Sequence, residues 1–163
     1  MEKFKREYKY LSWQQVQEAC FFIYTQMLKD GYVPDSIVAL LRGGVVPGRI
    51  FSDFFDTILD FFALDVKLYE GIGNQRDEVQ IKAFHGDVKN KKILILDDIW
   101  DSGKTMEVVL DSLDCEDVTT ATLLWKETAK EKPNYYAEIV RDNEWVVFPW
   151  ETCEFRRLTH KDK

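Results

Sequence analysis

The chain has 163 residues, 45% apolar and 31% charged, a balance that excludes a disordered polymer and supplies one packed domain over residues 1–163. Its net charge of −7 excludes a general nucleic-acid binder, whose footprint is basic. Three cysteines, Cys20, Cys115 and Cys153, form no CxxC pair, which speaks against a disulfide framework or a zinc site and for free thiols in a reducing compartment.

The first residues, Met1 to Glu7, are charged and lack the apolar core of a signal peptide. The greasiest stretch, Ile50 to Leu64, is broken by Asp53, Asp56 and Asp60 and cannot cross a bilayer. The expected location is the cytoplasm, with no membrane partner. Ser12-Trp13-Gln14-Gln15 is a capping box, with Ser12 as N-cap and Gln15 reaching back. Trp13, Val16, Ala19, Cys20, Ile23 and Met27 follow at helical spacing and predict a core-facing helix that ends near Lys29-Asp30-Gly31.

Asp35 to Leu41 predicts a further buried strand, which runs into Arg42-Gly43-Gly44. The paired glycines let backbone approach a ligand closely, and Pro47 suits the first turn of a helix expected from Gly48 to about Asp60. A strand, a basic Gly-Gly turn and a helix start make an anion cradle. Residues 65–69 and 79–84 alternate as two strands with one polar face, joined by a polar loop over 70–78. His85, beside Gly86-Asp87, is a turn residue, and His160 lies in a charged tail.

The most informative stretch is Lys92 to Thr105. Ile93-Leu94-Ile95-Leu96 predicts a strand buried on both faces of a parallel sheet, followed by adjacent acids Asp97 and Asp98. Open α/β sheets bind ligands beyond the carboxyl ends of such strands. Asp101-Ser102-Gly103-Lys104-Thr105 then opens a helix, so its backbone N–H groups form a second anion site. Gly103-Lys104-Thr105 also ends like a nucleotide-triphosphate P-loop, but that motif needs glycine five residues before Gly103, where the chain has Asp98. Asp117 to Lys126 is a further strand that ends in a lysine, and Glu144-Trp145-Val146-Val147-Phe148-Pro149-Trp150-Glu151 follows a short segment over 137–141.

The run from Ile93 to Thr105 resembles the phosphoribosyl pyrophosphate (PRPP) signature of type I phosphoribosyltransferases, with Trp100 in place of a small aliphatic residue. Leu41-Arg42-Gly43-Gly44 is similar to the pyrophosphate loop of the 6-oxopurine branch of that family. The resemblance implies an α/β fold, a mostly parallel central sheet flanked by helices with a small C-terminal hood over the base. It implies transfer of 5-phosphoribose from PRPP to N9 of hypoxanthine, guanine or xanthine, with release of pyrophosphate and formation of a nucleoside monophosphate. Mg²⁺ is the implied cofactor, and a homodimer or homotetramer the implied assembly.

Carried onto this chain, Asp97 and Asp98 bind the ribose hydroxyls beside Mg²⁺, with Glu151 as a further acid near the metal. Asp101, Ser102, Gly103, Lys104 and Thr105 hold the 5-phosphate, and Arg42 and Gly43 the pyrophosphate, with a cis peptide implied at Arg42–Gly43. Asp101 is the general base for the purine N7 proton. Lys126 faces the 6-oxo group: an ammonium has only donors, which suits an oxo group and leaves the amino group of adenine unmatched. Trp145 stacks on the purine and Val146 contacts its edge through the backbone, while the loop over 70–78 is the implied lid. The competing expectations are an adenine or other-base phosphoribosyltransferase, and a PRPP-sensing, RNA-binding regulator of the same fold.

Overall fold

The computed structural model describes residues 7–69 and 78–159, so the lid expected over 70–78 lies almost wholly outside the described residues. Strand β1 (Glu7–Tyr10) leads to helix α1 (Trp13–Lys29). Its capping box is formed as read: the Gln15 N–H donates to Ser12 Oγ (3.2 Å) and the Ser12 N–H to Gln15 Oε1 (2.8 Å). Gly31, in the left-handed region at φ +66°, ends the helix, and the Tyr32 N–H returns to the Met27 carbonyl. Val16, Cys20, Ile23 and Met27 are fully buried, whereas Trp13 is 56% exposed and leans on Trp150 instead of entering the core.

Six strands form the main sheet: β2 (Ser36–Leu41), β3 (Asp60–Tyr69), β4 (Glu78–Phe84), β5 (Lys92–Trp100), β6 (Asp117–Lys126) and β7 (Tyr135–Val140). Their order is β4-β3-β2-β5-β6-β7, parallel throughout except for the β3–β4 hairpin at one edge. Alternate residues of the central strands serve opposite faces. Ile37, Leu94 and Leu96 pack against α1 and helix α2 (Val45–Ser52). Val38, Leu40, Ile93 and Ile95 pack on the other side with Met106 and Val109 of helix α3 (Lys104–Ser112). Burial on both faces explains why β2 and β5 read as unbroken apolar runs.

Two departures from expectation matter. Helix α2 starts at Val45 rather than Gly48 and stops at Ser52, well short of Asp60. The Asp53 N–H closes its last turn on the Ile50 carbonyl; Asp53 and Asp56 lie at a helix C-terminus, the end the dipole makes unfavourable for acids. The apolar residues that follow belong instead to β3, paired in parallel with β2 from Asp60 onward. The second departure is β1, which sequence periodicity did not single out. It pairs in parallel with β8 (Glu144–Val147) as a separate two-stranded sheet, with Tyr8 opposite Trp145. Helix α4 (Thr152–Thr159) completes this unit through Phe155, which meets Tyr8 and Tyr10 edge-on.

Candidate active site

The carboxyl ends of β2, β5 and β6 bring the two anion loops, the acid pair and the lysine together. After β2 the chain turns through Arg42-Gly43-Gly44, with the Gly44 N–H on the Leu40 carbonyl (2.8 Å) and the Gly48 N–H on the Gly44 carbonyl (2.9 Å). The non-proline cis peptide lies at Leu41–Arg42, one bond earlier than expected; the reversal is already complete where Gly44 bonds back to Leu40. Both glycines are required by space. A Cβ on Gly43 would fall 2.2 Å from Asp98 Oδ2, and one on Gly44 2.1 Å from the Leu96 carbonyl oxygen. The first anion loop therefore rests directly on the acid pair.

The second loop runs from Asp101 to Gly103, which caps α3 in the left-handed conformation at φ +84°. This puts the N–H groups of Lys104 and Thr105 in the first turn of α3, where the partial positive charge of a helix is concentrated. The Lys104 N–H lies 3.4 Å from Ser102 Oγ, and the Glu107 N–H bonds the Gly103 carbonyl (3.0 Å).

Between the loops lie Asp97 and Asp98. The Asp98 N–H donates to Asp97 Oδ1 (2.9 Å), and Asp98 is 8% exposed. Burial pushes the Asp97 carboxyl up to about 7, partly offset by hydrogen bonds from Asp98. Asp98 is also raised well above the usual carboxylate range, first by burial and then by the charges of Asp97 and Glu151. Glu151, half-buried, is itself raised by burial. Burial and mutual repulsion thus disfavour the charged form of this cluster in the ligand-free chain, and hard oxygen donors of this kind suit a divalent cation, which would favour that form. Among the described residues no three His, Cys, Asp or Glu side chains converge closely enough to hold a metal ion by themselves.

The acid pair carries a stability consequence. Carboxyls raised above their unfolded values stabilise the fold fully below the unfolded pKa near 4, and that contribution is lost as pH rises through the folded pKa. The ligand-free protein should therefore melt at a lower temperature at pH 8 than at pH 5. D98N should flatten that difference and raise the pH 8 melting temperature, by about 2–4 °C for each kcal/mol relieved.

Lys126, at the end of β6, pairs with Asp101 of the loop that opens α3, Nζ to Oδ1 at 2.9 Å. Its side chain is 14% exposed, so the pair is held mainly by the lysine end. Lys126, Asp101, Asp98, Trp145, Val146 and Glu151 all border one cavity of about 180 Å³. A larger one of about 710 Å³, bordered by Asp101, Lys126, Arg141, Glu144 and Trp145, adjoins it. Trp145, on β8, is 46% exposed and borders both cavities. Two site features were invisible to pattern reading. Glu154 of α4 pairs with Arg42 (3.0 Å), and Glu144 borders both cavities while accepting the Arg141 N–H (2.7 Å). The Arg42–Glu154 pair joins residues 112 positions apart, and the Glu144 contact, though local, belongs to no motif that marks a site.

Comparison with known proteins agrees with this arrangement. The phosphoribosyl transferase domain family matches residues 9–155. The chain belongs to that family, and its fold is the type I phosphoribosyltransferase fold. It is 31% identical over 149 residues to the xanthine-guanine phosphoribosyltransferase of Cereibacter sphaeroides, covering 87% of this chain and 86% of the relative. It is 26% identical over 151 residues to the enzyme of the same name from Desulfotalea psychrophila, covering 93% and 90%. The crystal structure of a purine phosphoribosyltransferase from Pyrococcus horikoshii superposes with a TM-score of 0.75 at 33% identity, covering 88% of this chain and 93% of that one.

Proposed function

We propose that the chain is a purine-salvage phosphoribosyltransferase that moves 5-phosphoribose from PRPP to N9 of a 6-oxopurine and releases pyrophosphate. The observation that carries this reading is the Lys126–Asp101 ion pair, 2.9 Å, at the border of a cavity beside Trp145. It couples a donor suited to an exocyclic oxygen with a carboxylate attached to the phosphate loop. The names of the curated relatives support it as well.

Each group has a task. The loop from Asp101 to Thr105 binds the 5-phosphate with N–H groups at the start of α3. Arg42 and the Gly43 backbone bind the diphosphate; Arg42 is already matched to a carboxylate of Glu154, so the incoming diphosphate exchanges one anion for another. Asp97 and Asp98 accept hydrogen bonds from the ribose hydroxyls. Trp145 lies against the purine face and Val146 meets its edge. Lys126 spends one donor on Asp101 and keeps two for the 6-oxo oxygen. As N9 bonds to sugar carbon 1 and the carbon–pyrophosphate bond breaks, Asp101 accepts the N7 proton.

The residues fit Mg²⁺: it commonly binds through one or two carboxylates together with substrate phosphates, and Asp98, Asp97 and Glu151 are oxygen donors whose charged form a cation would favour. When bound, the ion would neutralise charge on the leaving diphosphate.

Pyrophosphate release should be measured with Mg²⁺, PRPP and each of hypoxanthine, guanine, xanthine, adenine, uracil and orotate. Turnover is expected with at least one 6-oxopurine, and turnover with adenine alone would overturn the reading. Lys126→Met should lower kcat/KM for the 6-oxopurine by about 10–100-fold, the worth of a hydrogen bond to a charged donor, and leave PRPP affinity nearly unchanged.

A further inference from the structure

Trp100 ends β5 immediately before the phosphate loop, and its side chain packs among Met106, Val109, Leu40 and Ile95. It is 5% exposed, and among the described residues its indole Nε1–H is buried with no hydrogen-bond acceptor. Leaving such a donor unpaired is costly. The group lies directly beneath the loop: a side chain built on Gly103 would meet Nε1 at 2.8 Å and Cε2 at 3.4 Å. Gly103, at φ +84° and without a Cβ, is what allows the indole to sit there.

A peptide unit is planar, with its N–H and C=O directed oppositely. When the loop's N–H groups turn toward an anion above them, the carbonyls of the same peptide units turn toward the floor of the loop. The floor is where the unpaired indole N–H waits. We infer that Trp100 is a positioning residue of the phosphate loop: its N–H donates to no acceptor in the ligand-free loop and donates to a loop carbonyl once the 5-phosphate is bound. The anion's own donors are the backbone amides, and Trp100 acts through them by favouring the binding conformation. This inference rests on reading the Asp101–Thr105 loop as the phosphate site.

The test is a ¹H–¹⁵N correlation spectrum of the whole chain, whose five tryptophans give five indole cross-peaks. W100F, which keeps an aromatic ring and removes the N–H, identifies the Trp100 peak by its loss. On titration with ribose 5-phosphate that peak should move downfield. The Trp125 peak should stay in place, because its Nε1–H already donates to the Glu131 carbonyl (3.2 Å). W100F should bind ribose 5-phosphate about 5–10-fold more weakly, the worth of one net hydrogen bond. A Trp100 peak that stays still while the Ser102–Thr105 amides shift would overturn the role of Trp100 and leave the proposed reaction standing. Stillness of the indole and of the loop amides alike would overturn both. If W100F fails to fold, the Trp100 peak is identified in the unmodified protein by its nuclear Overhauser contacts to Met106 and Val109, so the titration can still be read.

Discussion

Asp101→Asn is expected to fold normally and to turn over about 10²–10⁴-fold more slowly than the unmodified protein, the usual contribution of a positioned proton acceptor. Asparagine keeps the size of the side chain and can still accept from Lys126 Nζ at the 2.9 Å separation, so the cavity wall stays in place. What it loses is the capacity to take a proton from N7. The loss should therefore fall on kcat, with PRPP affinity changed little, because the loop's phosphate donors are backbone groups. Single-turnover kinetics with PRPP and the preferred purine separate the two parameters. An equal rise in KM with unchanged kcat would move Asp101 from proton transfer to ligand binding.

Gly44→Ala should cost about 3 kcal/mol or more, at the severe end of what an inserted methyl does in a packed site. The added Cβ would lie 2.1 Å from the Leu96 carbonyl oxygen and under 3 Å from the Leu40 backbone nitrogen and oxygen. All three are main-chain atoms of the central strands, so no rotamer change relieves the overlap. Thermal unfolding should show a melting temperature lowered by about 6–12 °C, taking 2–4 °C per kcal/mol for a chain of this size. Gly43→Ala offers a useful contrast. Its overlap is with the Asp98 side chain, 2.2 Å away, which can swing aside. The fold should tolerate it better while the acid pair loses its arrangement, so activity should suffer more than stability.

The readable parts of this chain are those where one physical demand acts on consecutive residues. Strands β2 and β5 are buried on both faces, and that demand writes itself as Ile37-Val38-Ala39-Leu40 and Ile93-Leu94-Ile95-Leu96. The acid pair lies within β5 and the turn from Asp101 to Gly103 follows it without a gap, which is why the strand, turn and helix start from Ile93 to Thr105 were legible as a unit. The α1 cap was legible for the same reason, being a four-residue device. Helix α2 was overextended because Phe51, Phe54, Phe55, Phe61 and Phe62 supply apolar residues that suit a helix or a strand, and only the pairing of β3 with β2 decides where the change falls. Strand β1, exposed along much of its length, has no apolar face to announce it; its partner in β8 lies near the other end of the sequence. The Arg42–Glu154 pair is equally nonlocal. Trp100 was visible as a departure from the signature, but its orphaned N–H could be recognised only once its neighbours were known.

The pairing of β1 with β8 has a kinetic consequence. Closing a loop that spans most of the chain is entropically the most demanding step a fold of this topology contains, and little buried area rewards it there. The strands that carry Trp145 and Val146 should thus form last and open first, with amide exchange faster than in β2 and β5. The Asp101–Thr105 loop and the acid pair, rooted in the central strand β5, should persist through such openings. On the proposed assignment of the site, the two substrates would meet seats of unequal lifetime, a durable one for the sugar phosphate and a transient one for the base. Substrate addition should follow that order, with the base arriving second.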